Sequence, residues 1–275
     1  NAEKMRQHWS NAPMGIYSAA MRKKEIRQPI TFAGIQSIRN KWQQLGHIDL
    51  VIVDECHLIS HKKDQGAYRT LIAQLTEVNP SLRVVGLSAT PWRLGHGKID
   101  DGDALFDDLI EPVSIEELIY HGYLAPLRSK VTSHHLSTDG VKKRGGEYIE
   151  SQLQKAVDTD LHNYAVVEEV IRLAGDRKMW LFFCLGVVHR LHIRDILREH
   201  GITAETVHGG TPKAERERII IDYKAGKIQA LTNANVLTTG FDAPDIDLIA
   251  MLRPTMSPSL YVQMAGRGLR PKSHT

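Results

Sequence analysis

Val51-Ile52-Val53-Asp54-Glu55-Cys56-His57 is the stretch on which the reading of this chain turns. A β-branched apolar run ends in two adjacent carboxylates and then a histidine. Such a run suits a strand buried in a parallel sheet, where neither face needs polar side chains. Carboxylates delivered to the carboxyl edge of that sheet have two possible tasks. One can hold Mg²⁺ on the phosphates of a nucleotide, and the other can orient and deprotonate a water.

Working outward, short β-branched runs alternate with amphipathic stretches, which implies βαβ units and parallel sheets. In the first half, Ile30–Ala33 is expected as a strand, Gln36–Leu45 as a helix and Leu50–Val53 as the next strand. Leu71, Leu75 and Val78 mark one face of a helix over Ala67–Val78, with Pro80 beyond its end, and Arg83–Leu87 returns as a strand. Ser114 and Glu117 form a capping box for a helix that reaches Tyr120 and closes at Gly122. In the second half, helices are expected over Leu161–Leu173, Val188–His200 and Ser259–Gly266. Strands are expected at Trp180–Cys184, Glu205–Val207, Ala230–Thr232 and Leu248–Met251. Thr211-Pro212 reads as a capping threonine and first-turn proline, with Gly226 ending that helix. The fold class is therefore α/β, in two lobes at 1–122 and 123–275, with ligands expected in a cleft at the strand ends.

Three further elements carry chemistry. Ser88-Ala89-Thr90 ends the strand Arg83–Leu87, and its hydroxyls can bond to the carboxylate motif. Leu237-Thr238-Thr239-Gly240-Phe241-Asp242 places a glycine where backbone could approach a ligand closely. Gln263-Met264-Ala265-Gly266-Arg267-Gly268-Leu269-Arg270 sets two guanidinium groups close together on successive turns.

Taken in order, these elements resemble motifs II, III, V and VI of the superfamily 2 helicases and translocases. Ser88 to Gly95, His121-Gly122-Tyr123-Leu124, Asn235 to Pro244 and Arg253-Pro254-Thr255 extend the resemblance to RadD-type DNA-repair ATPases and their phage or prophage relatives. The resemblance implies two RecA-like lobes and an enzyme that uses ATP and Mg²⁺. It assigns Asp54 to the metal, Glu55 to the attacking water, and Arg267 and Arg270, with Gln263, to the departing γ-phosphate. An arginine finger of that kind is worth on the order of 10³–10⁵ in rate. Gly240 and Asp242 would face the nucleotide. His57, Ser88 and Thr90 would couple the lobes. Thr31, Gly34, Gln36 and Ser37 in the first lobe, and Gly186, His208, Gly209, Gly210, Thr238 and Thr239 in the second, would line the nucleic acid backbone. Hydroxyls, amides and glycines suit phosphates, which fix position without reading sequence.

One departure matters. No Gly-x-x-x-x-Gly-Lys-Ser/Thr occurs in the chain, so a phosphate-cradling loop is absent from these residues. The expectation is a first lobe truncated at its N-terminus, lacking the first strand, loop and helix, and a polypeptide nearly inactive alone.

The bulk numbers bound the partners. A net charge of +3 over 275 residues allows a polyanion partner without demanding one. DNA, single-stranded or branched, is the expected partner, with RNA as an alternative and a nucleotide-independent clamp or scaffold as another. No apolar run approaches the roughly 20 residues that cross a bilayer. Two cysteines are too few for a disulfide framework, and no zinc-ligand spacing is present. A cytoplasmic monomer is expected.

Overall fold

The computed structural model describes residues 1–60, 66–93, 97–101, 105–110, 113–233, 243 and 245–271. Compactness divides the chain into two units, Asn1–Ile110 and Glu111–Thr275.

In the first unit, helix α1 (Ala2–His8) precedes strands β1 (Met14–Ser18), β2 (Lys23–Lys24) and β3 (Ile30–Ala33). The central β1 runs parallel to β3 and antiparallel to β2. Gly15 is dictated by this packing, because a Cβ there would lie 2.5 Å from the Glu25 carbonyl oxygen. The single helix expected over Gln36–Leu45 is instead two short ones, α2 (Ile35–Ile38) and α3 (Trp42–Leu45). The chain turns at Asn40-Lys41, where the Lys41 amide donates to the Ile38 carbonyl. That break lets Ile35, Ile38, Trp42 and Leu45 all reach one cluster with Leu71 and Leu75.

β4 (Leu50–Asp54), α4 (Ala67–Val78) and β5 (Arg83–Leu87) form a βαβ unit, with Leu50 opposite Arg83 and Asp54 opposite Leu87. Leu71, Ile72 and Leu75 anchor α4, each fully buried apolar side chain contributing roughly 1.5–3 kcal/mol. Val78, expected on the same face, is 40% exposed, and Ile72 takes its place. The β4 strand is not buried on both faces as expected. Alternate residues of a strand face opposite ways. Val53 is buried, while Ile52, Val85 and Leu87 are 58%, 43% and 52% exposed. Gly86 is needed on the covered face, since a Cβ there would meet the Cys56 sulfur at 2.7 Å. A short hairpin, β6 (Trp92–Arg93) and β7 (Gly97–Lys98), follows.

The second unit begins with α5 (Ile115–Tyr120), capped as expected by the Ser114 hydroxyl, which accepts from the Glu117 amide at 3.1 Å. A hairpin that the sequence pattern does not announce, β8 (Lys143–Arg144) and β9 (Glu147–Tyr148), turns at Gly145 and Gly146, both at positive φ. Then come α6 (Glu150–Val157), α7 (Asp160–Ala174), β10 (Trp180–Phe183), α8 (Gly186–Glu199), β11 (Ala204–Val207), α9 (Lys213–Lys224), β12 (Ala230–Asn233), β13 (Leu248–Met251) and α10 (Pro258–Ala265). A 3-10 turn, Gly266–Gly268, ends the series.

The four strands β11-β12-β10-β13 are all parallel. Strand alternation sends Trp180 and Phe182 into one core cluster and Leu181 and Phe183 into another. A sheet covered on both sides explains the continuous apolar run. Thr211 does not cap α9. Its hydroxyl accepts from the His208 amide at 3.0 Å, and Pro212 occupies the capping position. Cys56 and Cys184 are both buried, and burial pushes the Cys184 thiol pKa well up.

Candidate nucleotide and nucleic-acid site

Asp54 closes β4, and the chain turns at once. Glu55 has φ 53 and ψ 47, the left-handed region that a residue with a Cβ seldom enters. Strain of this kind costs about 1–3 kcal/mol and is concentrated at functional sites. The turn leads into a 3-10 segment, Cys56–Leu58, that drops Cys56 into the core beside Val53 and Ile59. Cys56 and Val53 thereby anchor the turn on either side of Glu55.

His57 is the hub of the first unit's candidates. Its side chain is only 9% exposed, and Nδ1 lies 2.9 Å from Ser88 Oγ and 3.4 Å from Thr90 Oγ1. The same nitrogen is 3.5 Å from Glu55 Oε2. The Ser88 hydroxyl also accepts from the Thr90 amide at 3.0 Å, and Thr90 is fully buried. The acidic motif and the hydroxyl motif, thirty-odd residues apart, therefore meet through one imidazole.

Asp54 presents an exposed carboxylate at the strand end. One oxygen accepts from the Glu55 amide at 3.1 Å and the other from the Asn1 side-chain amide at 2.9 Å. A hard oxygen donor on a rigid strand fits the preference of Mg²⁺.

Among the first unit's nucleic-acid candidates, Thr31, Gly34, Gln36 and Ser37 gather at the end of β3 and the start of α2. The Thr31 hydroxyl donates to the Gln28 carbonyl at 3.3 Å, and the Ser37 hydroxyl accepts from the Ala19 amide at 3.0 Å. Gly34 and Gln36 are exposed. Ser37 thus ties the end of β1 to α2.

In the second unit the candidates lie beyond the carboxyl ends of the parallel strands, the edge where open α/β sheets bind ligands. Gly186 follows β10 and opens α8 at φ 51. His208, Gly209 and Gly210 follow β11 in a turn held from within. The Gly210 amide donates to His208 Nδ1, and Arg216 Nη2 donates to the carbonyls of His208 and Thr211 at 3.0 and 3.2 Å. Arg216 is a fixing residue that sequence reasoning missed, although its place one turn into α9 is a fair signal. Thr238, Thr239, Gly240 and Asp242 lie outside the described residues.

Gln263 sits in the last turn of α10, and Arg267 and Arg270 follow, all three half-buried. Gly268 between the arginines is closely packed. A Cβ there would lie 3.0 Å from both Ile249 Cδ1 and Leu127 Cδ2. The turn carrying Arg267 is thereby seated against β13.

Two sheets with these motifs define a helicase core of the two-lobed, RecA-like class. Residues 14–94 match the DEAD/DEAH box helicase family, and residues 163–272 match the helicase conserved C-terminal domain. The chain is 31% identical over 254 residues to irc3 of Schizosaccharomyces pombe, which carries the name of a mitochondrial ATP-dependent helicase. That alignment covers 88% of this chain and 39% of irc3. It is 28% identical to a 51.5 kDa protein of a Lactococcus phage, covering 84% of this chain and 48% of the phage protein. In fold it resembles a fragment of a type I restriction enzyme HsdR-type subunit from Vibrio vulnificus YJ016, with TM-score 0.64 and 22% identity. That likeness covers 95% of this chain and 48% of the HsdR chain. The chain thus carries a DEAD/DEAH box helicase domain and a helicase conserved C-terminal domain. It spans less than half the length of these curated relatives.

Proposed function

We propose that the chain is the motor core of an ATP-driven translocase acting on DNA in repair or recombination. Asp54 would hold Mg²⁺. Glu55 accepts the proton of the attacking water, and Arg267 and Arg270 neutralise the charge that builds as the γ-phosphoryl leaves. The metal, when bound, supplies charge neutralisation between the phosphates. His57, held between Glu55, Ser88 and Thr90, positions the base and reports the strand end's movement to it. The single observation that carries this reading is that hub, with its imidazole 2.9 Å from Ser88 and 3.5 Å from the general-base carboxylate.

DNA passes along Thr31, Gly34, Gln36 and Ser37 in one unit and along Gly186, His208, Gly209, Gly210, Thr238 and Thr239 in the other. Contacts through amides, hydroxyls and glycines make this binding independent of base sequence. Asp242 and Gly240 serve the nucleotide side.

The test compares ATP turnover by this 275-residue chain and by a longer form that carries a phosphate loop, each with and without single-stranded DNA or RNA. The expected result is negligible turnover by the short chain and DNA-stimulated turnover by the longer one. Turnover by the short chain within tenfold of the longer form would overturn the assignment. Stimulation by RNA alone would move the substrate to RNA.

A further inference from the structure

Glu147 lies in the hairpin β8–β9, far in sequence from any motif, yet its carboxylate ends on the turn that launches α10. The Thr255 hydroxyl donates to Glu147 Oε2, and the Met256 amide donates to both carboxylate oxygens, at 3.0 and 3.2 Å. The hairpin's own Tyr148 amide donates to Oε1 at 2.9 Å. The turn continues the chain of bonds. The Ser257 amide donates to Thr255 Oγ1 at 3.0 Å, and the Ser257 hydroxyl caps α10 by accepting from the Leu260 amide at 3.3 Å. Burial pushes the Glu147 carboxyl pKa up, but the bonds from Thr255, Met256, Tyr148 and Ser257 outweigh it and hold it below the usual range.

These bonds fix one end of a rigid rod. An eight-residue helix spans about 12 Å. At its far end stand Gln263 and, after the Gly266–Gly268 turn, Arg267 and Arg270. Met264, 1% exposed, packs the last turn of the rod on the sheet core, and Leu260 in the first turn packs against the same cluster. Leu260 and Met264 hold the helix on the sheet, and the clamp at its first turn fixes the direction in which the chain enters it. An arginine that must meet a γ-phosphate within a few tenths of an ångström depends on such a clamp, since a misplacement near 1 Å costs about 10² in rate.

We propose that Glu147 is a positioning residue for the arginine segment: through Thr255, Met256 and the Ser257 cap, it sets where α10 points Arg267 and Arg270. This rests on the motor reading above. The hairpin accordingly belongs to the catalytic apparatus although it touches no reacting atom.

The experiment measures kcat and KM for ATP, at saturating single-stranded DNA, in the longer form with Glu147→Ala and Glu147→Gln. A glutamine carbonyl can still accept from the Met256 and Tyr148 amides. The expected result is a 10- to 100-fold loss of kcat in Glu147→Ala, with KM within about twofold and the melting temperature of the second unit nearly unchanged. Glu147→Gln should restore kcat to within about fivefold of the parent. The inference is overturned if Glu147→Ala keeps full kcat, if kcat and KM worsen together with loss of folding, or if Glu147→Gln is as impaired as alanine. A parent enzyme with no ATP turnover would instead sink the motor reading, and this inference with it.

Discussion

Arg267→Ala, placed in a form of the protein that carries a phosphate loop, should lower DNA-stimulated ATP turnover by about 10³-fold or more, with ATP affinity nearly retained. The expectation follows from where charge appears. In phosphoryl transfer little covalent work is left to the protein, and stabilising the equatorial oxygens of the departing γ-phosphoryl dominates. Arg267 follows an anchored helix and is flanked by glycines, of which Gly268 sits tight against Ile249 and Leu127. Lysine at 267 should rescue little, because a point charge does not reproduce the planar fork that grips two oxygens. Steady-state kinetics with separate nucleotide-binding titrations check this. A drop confined to KM would show that Arg267 binds nucleotide and takes no part in the chemical step.

Glu55→Gln should cost about 10²–10⁴ in turnover, the usual scale for losing a general base. It should leave ATP and DNA binding intact or tighter. Glutamine keeps the size of the side chain and can still approach His57, so the hub with Ser88 and Thr90 should survive. What it loses is the capacity to take a proton. The left-handed backbone at Glu55 sharpens the contrast with Glu55→Gly, which removes the strain of φ 53 along with the carboxylate. Glycine should therefore melt no lower than glutamine while being equally inactive. If glutamine retained more than a tenth of the parent rate, the base would have to be sought elsewhere.

Much of the architecture was legible because the chain follows local rules consistently. The α4 helix and β5 strand were read to the residue, since an i, i+4 apolar stripe and Pro80 leave few alternatives. The same stripe misled at Val78, because Leu71 and Leu75 pack on the cluster that α2 and α3 supply while Val78, at the helix end, is 40% exposed. The strand Met14–Ser18 was missed. It carries one β-branched residue and a glycine, and its strand form comes from pairing with β3 and β2. The hairpin holding Glu147 was missed because two-residue strands have no periodicity to detect, although Gly145-Gly146 is a turn signal in its own right.

The candidate site divides along a similar line. Asp54, Glu55, His57, Ser88 and Thr90 were readable together because parallel pairing of β4 with β5 brings their strand ends into register. Gln263, Arg267 and Arg270 were readable as a motif, but the clamp that aims them comes from a segment more than a hundred residues earlier. No pattern within α10 points to Glu147, since the contact depends on tertiary packing alone.

The proposed motor requires the carboxylates of the first unit and the guanidinium groups of the second to act on one nucleotide. Pulsed electron paramagnetic resonance between spin labels at Leu58→Cys and Tyr261→Cys, in the longer form, tests it most directly. Both positions are exposed, at 65% and 56%, and both native cysteines are buried and so protected from labelling. A non-hydrolysable ATP analogue with single-stranded DNA should draw the label distances into one short, narrow population that ADP does not produce. An unchanged distribution in a protein shown to bind both ligands would contradict the account.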